Sequence, residues 1–95
     1  MTVNNDIVRV RIICKGRVQG VGFRYMAWKA ADSLGVTGWA RNEYDGSVCM
    51  ELQGRRDAVA SVIPAIERDS YIRIDETESK LIEPIPEERG FRVKY

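Results

Sequence analysis

Ile7-Val8-Arg9-Val10-Arg11-Ile12-Ile13-Cys14 alternates with a period of two, and the reading of this stretch decides the fold. Val8, Val10, Ile12 and Cys14 share one face, Arg9 and Arg11 the other, which is the pattern of a half-buried strand. The arginine face is expected to be solvated at both positions. A glycine-rich loop follows, from Gly16 to Gly22, and then Phe23, Met26, Ala27, Ala30 and Leu34 recur at helical spacing as one apolar stripe. Gly35 is placed to end that helix in the left-handed conformation.

Working outward, residues 36–42 read as a second strand and Ser47 to Gln53 as a third, joined into a hairpin by the turn chemistry of Tyr44-Asp45-Gly46. Gly54 is expected to break the third strand. Val59, Val62, Ile63 and Ile66 mark a second helix, which Pro64 should kink or shorten. Residues 71–83 read as extended, with Tyr71, Ile72, Ile74, Leu81 and Ile82 as apolar anchors. Pro84, Pro86 and Gly90 mark an exposed loop, and Phe91 to Tyr95 alternates again as a final strand. The order is βαββαβ plus a terminal strand. The expected fold is therefore α+β: a ferredoxin-like two-layer sandwich, an antiparallel-rich sheet with two helices on one face and an extra C-terminal strand.

Ninety-five residues, 44% hydrophobic and 31% charged, fit one globular domain over 1–95, with 1–6 expected to be a flexible N-terminal tail. No apolar run approaches the roughly 20 residues of a membrane span, and Met1 to Asp6 carries no apolar signal core, so a cytoplasmic protein without a membrane partner is expected. Two cysteines and no histidine exclude a Cys/His zinc cluster, a Ser-His-Asp triad and a histidine general base. By alternation Cys14 faces the core and Cys49 points away from it, on opposite faces of the sheet, so no disulfide is expected.

Charge is uneven. Residues 1–30 hold six Lys/Arg against one acid, and residues 31–95 hold nine against thirteen, so the first third carries +5 and the remainder −4. The basic part can attract a small anion, whereas the acidic remainder would repel a long nucleic acid. A ferredoxin-like RNA-binding domain would place aromatic residues on its two central strands. Here those positions are Arg9, Arg11, Cys49 and Glu51, and no stacking pair is present. Glu76, Glu78, Glu83, Glu87 and Glu88 read as solvated surface without the convergence a metal site needs.

The chemistry is concentrated in Gly16-Arg17-Val18-Gln19-Gly20-Val21-Gly22-Phe23-Arg24, between a strand and a helix. Three glycines in seven residues permit unusual dihedrals and leave the backbone open to approach. Successive amides can then form an anion nest, to which the helix adds its unpaired N–H groups and the positive end of its dipole. Arg24 can hold two phosphate oxygens with its planar fork. The spacing is neither the Walker pattern nor the dinucleotide fingerprint. On this stretch alone, a tight turn beside an exposed arginine remains an equal alternative.

A second stretch, Gly38-Trp39-Ala40-Arg41-Asn42-Glu43-Tyr44-Asp45-Gly46-Ser47-Val48, breaks the tie. Together the two segments resemble the acylphosphatase family. The first is similar to its G-R-V-Q-G-V-x-F-R signature at every defined position, and the second to its G-x-x-x-N-x-x-D-G-x-V signature. The likeness runs from the first strand to the closing Phe91-to-Tyr95 strand, with Pro64 and Cys49 as mild departures. It implies a small enzyme that hydrolyses the carboxyl–phosphate bond of acyl phosphates without metal or cofactor. Arg24 would bind phosphate, Asn42 would orient the attacking water, and the amides of Arg17, Val18, Gln19, Gly20, Val21 and Gly22 would form the cradle. The implied partners are a small-molecule acyl phosphate and inorganic phosphate, the latter as product and competitive inhibitor of a monomer. The family also supplies domains within larger carbamoyl-phosphate-handling proteins, so an anion-sensing module is the rival of a stand-alone enzyme. Gln19 reads mainly as a support for the loop, Asp45 and Gly46 as turn formers, Phe23 as a core anchor, and Trp28 and Trp39 as packing residues.

Overall fold

Alternation carries the first strand beyond its first eight residues. In the computed structural model, which describes residues 6–95, β1 runs Ile7–Arg17 and is followed by α1 (Phe23–Leu34), β2 (Thr37–Asn42), β3 (Val48–Arg55), α2 (Arg56–Ala60), α3 (Val62–Ile66), β4 (Arg73–Ile82) and β5 (Phe91–Lys94). The tail expected over 1–6 lies outside the described residues except for Asp6, which is exposed. Gly16 does not open the loop. It sits at a register shift of β1 against β4, with φ 135°, where an added Cβ would collide with the Arg73 carbonyl oxygen. The strand therefore bulges there and continues to Arg17.

The sheet has the order β4-β1-β3-β2-β5. β1 is antiparallel to β3 and β4, β2 is antiparallel to β3, and β5 lies parallel to β2. This is the ferredoxin-like arrangement with one additional edge strand. The helices cover a single face, where Val8, Ile12, Cys14, Ala40, Val48, Met50 and Leu52 meet Phe23, Ala27, Ala30 and Ala31 of α1 and Val59, Val62 and Ile66 of α2 and α3. Each large, fully buried side chain among them stabilises the fold by about 2 kcal/mol. Gly35 ends α1 as expected, at φ 70°, with the Val36 N–H closing back onto the Ala31 carbonyl at 2.8 Å.

Several expectations are corrected. The second helix is two short helices divided at Ser61. The division places Pro64 in the first turn of α3, where its missing N–H has no intrahelical acceptor to lose. Gly54 does not break β3; it pairs with Val8, and the strand runs on to Arg55. Tyr71, which precedes β4, and Leu81 are exposed rather than anchoring: β4 is an edge strand, Ile72 and Ile74 pack into the core, and Ile82, opposite Arg9, is half-buried on the other face of the sheet. Cys49 does lie on the face opposite Cys14, but it is buried, a small residue on a central strand between the longer Ile13 and Arg41. Both cysteines are free thiols.

The largest correction concerns Arg9, which is 1% exposed. β4 and β5 lie at opposite edges of the sheet, so their connection must cross it, and it crosses the face away from the helices. There Arg9 Nε donates to Glu51 (2.9 Å), and its Nη1 donates to Glu88 (2.8 Å) and to the Gln53 side chain (3.1 Å). Glu88, expected on the solvated surface, also accepts from the Thr37 hydroxyl, and Gln53 Nε2 donates to the Ile85 carbonyl. Arg11 is exposed as expected.

Candidate active site

Period-two pairing brings Asn42 to the site. Gly38, Ala40 and Asn42 of β2 lie opposite Leu52, Met50 and Val48, so they share the helix-covered face. On β5, Phe91 and Val93 lie beside Gly38 and Ala40 on that same face. At the end of these strands the chain leaves β1 through residues 18–22 and enters α1. Gly20 (φ 73°) and Gly22 (φ 82°) are left-handed, while Gln19 and Val21 are not. Left-handed residues at alternate positions are the backbone pattern from which an anion-binding nest can be built. An added Cβ at Gly20 or Gly22 would meet nothing, so these glycines serve backbone geometry and leave the mouth open. None of the loop and turn hydrogen bonds among the described residues has an N–H of residues 18–22 as donor.

Asn42, Arg24, Gly20, Gly22 and Val18 line one cavity of about 520 Å³ between the loop, the start of α1 and the ends of β2 and β5. Arg24 Nη1 donates to the Lys94 carbonyl at 2.9 Å, and the guanidinium lies 4.8 Å from the centre of the Tyr95 ring. The bond to Lys94 engages one of the five donors of the fork and fixes its plane.

The side chains of Arg17, Val21 and Gln19 are directed to other tasks. Arg17 is the exposed end of β1, opposite Arg73. Val21 packs against the core. Gln19 is a brace: its Nε2 donates to the Glu43 carbonyl (2.7 Å) and the Ser47 carbonyl (2.8 Å), tying the loop to the β2–β3 turn just past Asn42. Asp45 accepts from the Ser47 N–H (2.9 Å) and hydroxyl (2.6 Å), and these bonds hold its carboxyl below the usual carboxylate range. Its charge belongs to the turn. Cys14 is sealed in the core, where burial pushes its thiol up to about 12, so it stays protonated. Among the described residues no group of three or more His, Cys, Asp or Glu is arranged to hold a metal ion.

Tyr25, Trp28, Phe91, Val93 and Tyr95 also line the cavity, and sequence reasoning did not place them there. Trp28, read as a packing residue, is 41% exposed. The three-residue spacing of Tyr25 and Trp28 on α1 was available as a signal; the parallel docking of β5 beside β2 was not. Trp39 packs on the opposite face, under Arg41 and Lys94.

A ferredoxin-like sandwich with a glycine-floored, arginine-bearing cavity at the β1–α1 junction is thus the class that fold and site define. The family model for acylphosphatase matches residues 10–93. A curated acylphosphatase of Rhizobium etli is 44% identical, over 98% of each chain. Among solved structures, the acylphosphatase of Bacillus subtilis superposes with a TM-score of 0.84 at 30% identity, covering 93% of this chain and 99% of that one. The T. kodakarensis HypF structure superposes at 0.80 with 28% identity, covering 93% of this chain but 12% of the larger one. The chain belongs to the acylphosphatase family.

Proposed function

We propose that the protein hydrolyses acyl phosphates to a carboxylate and inorganic phosphate, with Arg24 and the loop amides gripping the phosphoryl group and Asn42 orienting the water. The observation that carries this reading is the meeting of Arg24, Asn42 and two left-handed glycines at one cavity. As the water oxygen bonds to phosphorus, the bond from phosphorus to the bridging oxygen breaks. The acyl group leaves as RCOO⁻, and the phosphoryl group with the water's two protons becomes H₂PO₄⁻. A carboxylate is a stable leaving group, so the absence of histidine costs this reaction little. A loose phosphoryl-transfer transition state asks mainly for positioning and charge stabilisation, which a guanidinium and fixed N–H dipoles supply. The Asn42 carboxamide has both donor and acceptor atoms and can align a water without deprotonating it.

The same reading makes the chain a monomeric cytoplasmic enzyme working without metal or cofactor, with phosphate as product and competitive inhibitor. Steady-state hydrolysis of benzoyl phosphate tests it. Turnover is expected to persist in excess chelator and to be inhibited competitively by added phosphate. Phosphate binding without turnover would instead favour the anion-sensing module.

A further inference from the structure

Arg24, Asn42 and the loop account for only part of the cavity's lining. At about 520 Å³ it lies well inside the range of small-molecule sites, roughly 300–1,000 Å³, and a phosphoryl group alone leaves most of it unfilled. The remaining wall is apolar and largely aromatic: Tyr25, Trp28, Phe91, Val93 and Tyr95. Tyr25 and Trp28 stand one helical turn apart on α1 and are 59% and 41% exposed, so neither is there to fill the core. Their ring centroids lie 6.1 Å apart, tilted by 33°, within the range in which aromatic rings hold one another. Trp28 is also four residues beyond Arg24, on the same side of the helix, so both line the cavity from α1.

We propose that Tyr25 and Trp28 form an acyl-group shelf that selects acyl phosphates with flat, apolar acyl groups over those with small ones. The proposal rests on the acyl-phosphate reading of the same cavity. In-line displacement places the leaving oxygen opposite the water. With the water on the Asn42 side, at the end of β2, the acyl group departs toward the α1 wall. An aryl ring there stacks on Trp28, whereas an acetyl group reaches no ring face.

The test compares kcat/KM for benzoyl phosphate and acetyl phosphate in the parent, Trp28→Ala and Tyr25→Ala. Both positions are exposed, and circular dichroism checks that each variant is folded. Trp28→Ala is expected to lower kcat/KM for benzoyl phosphate about fivefold and to leave acetyl phosphate within twofold, with Tyr25→Ala weaker in the same direction. An equal loss on both substrates, or no loss on either, would overturn the shelf. Titration with benzylphosphonate and methylphosphonate separates this result from failure of the proposed reaction. The parent is expected to bind the benzyl compound more tightly and Trp28→Ala to bind the two alike. Equal binding in the parent rejects the shelf, and preferential binding without turnover of either acyl phosphate rejects the reaction while keeping the shelf.

Discussion

Arg24 is held by a hydrogen bond and a ring that both come from the far end of the chain: the Lys94 carbonyl and Tyr95. Its plane is set before any ligand arrives, so little side-chain entropy remains to be lost on binding. Arg24→Ala is expected to weaken phosphate binding and lower kcat/KM for an acyl phosphate by at least about 100-fold, as read by titration and initial rates. Gln19 has the opposite character, supporting the loop without lining the cavity that holds Arg24. Gln19→Ala removes two hydrogen bonds that tie the loop to the turn beyond Asn42. It is expected to reduce kcat about tenfold while phosphate affinity changes less, which a comparison of kcat with the phosphate inhibition constant would check. The place of Arg24 beside the loop was legible from its motif, and the bracing by Gln19 was legible as loop support. Trp28 was not, because a tryptophan on an amphipathic helix reads as packing until the opposite wall is known.

At the scale of elements, the approach of β2 to β3 hinges on Gly38. Its φ is 137°, and an added Cβ would run into the Glu51 carbonyl of the neighbouring strand. The Gly38 N–H also donates to the Gly90 carbonyl at 3.1 Å, joining β2 to the entry of β5. Gly38→Ala is expected to destabilise the protein by about 2 kcal/mol or more, measured by urea unfolding, because backbone rather than a flexible side chain must move. Strands and α1 could be read from the sequence because alternation and the 3.6-residue stripe are local patterns. The bulge at Gly16 and the division at Ser61 could not. Each depends on what the partner offers: the Arg73 carbonyl in one case, the packing of two short helices in the other. Gly54 shows the same limit, since a glycine that ends a strand and one that pairs within it look alike in a sequence.

Across the whole molecule, the β4–β5 connection is clasped to the open face of the sheet by Arg9, and β5 then runs to the cavity. The period-two pattern showed that Arg9 leaves the core; only the crossing of the connection, fixed by the strand order, shows that it is covered. Burial would raise the Glu88 carboxyl, but hydrogen bonds from Arg9 and Thr37 and the Arg9 charge outweigh it and hold it below its ordinary value of 4.5. A carboxyl depressed by folding contributes stability that is present above that ordinary value and lost as pH falls through the folded one. Unfolding measured from pH 7 down to pH 3 is expected to show stability falling below about pH 4.5. Glu88→Gln should lower stability at pH 7 by about 2 kcal/mol and flatten that acid limb. The fold brings Arg24, from the first turn of α1, and Asn42, from the end of β2, to one cavity, and the proposed reaction gives them separate duties. The direct test is Asn42→Ala, followed by calorimetric titration with inorganic phosphate and by single-turnover hydrolysis of benzoyl phosphate. The account predicts phosphate affinity within about twofold of the parent and a chemical step slowed about 100-fold. Hydrolysis at the parent rate, or loss of phosphate binding equal to that of Arg24→Ala, would contradict it.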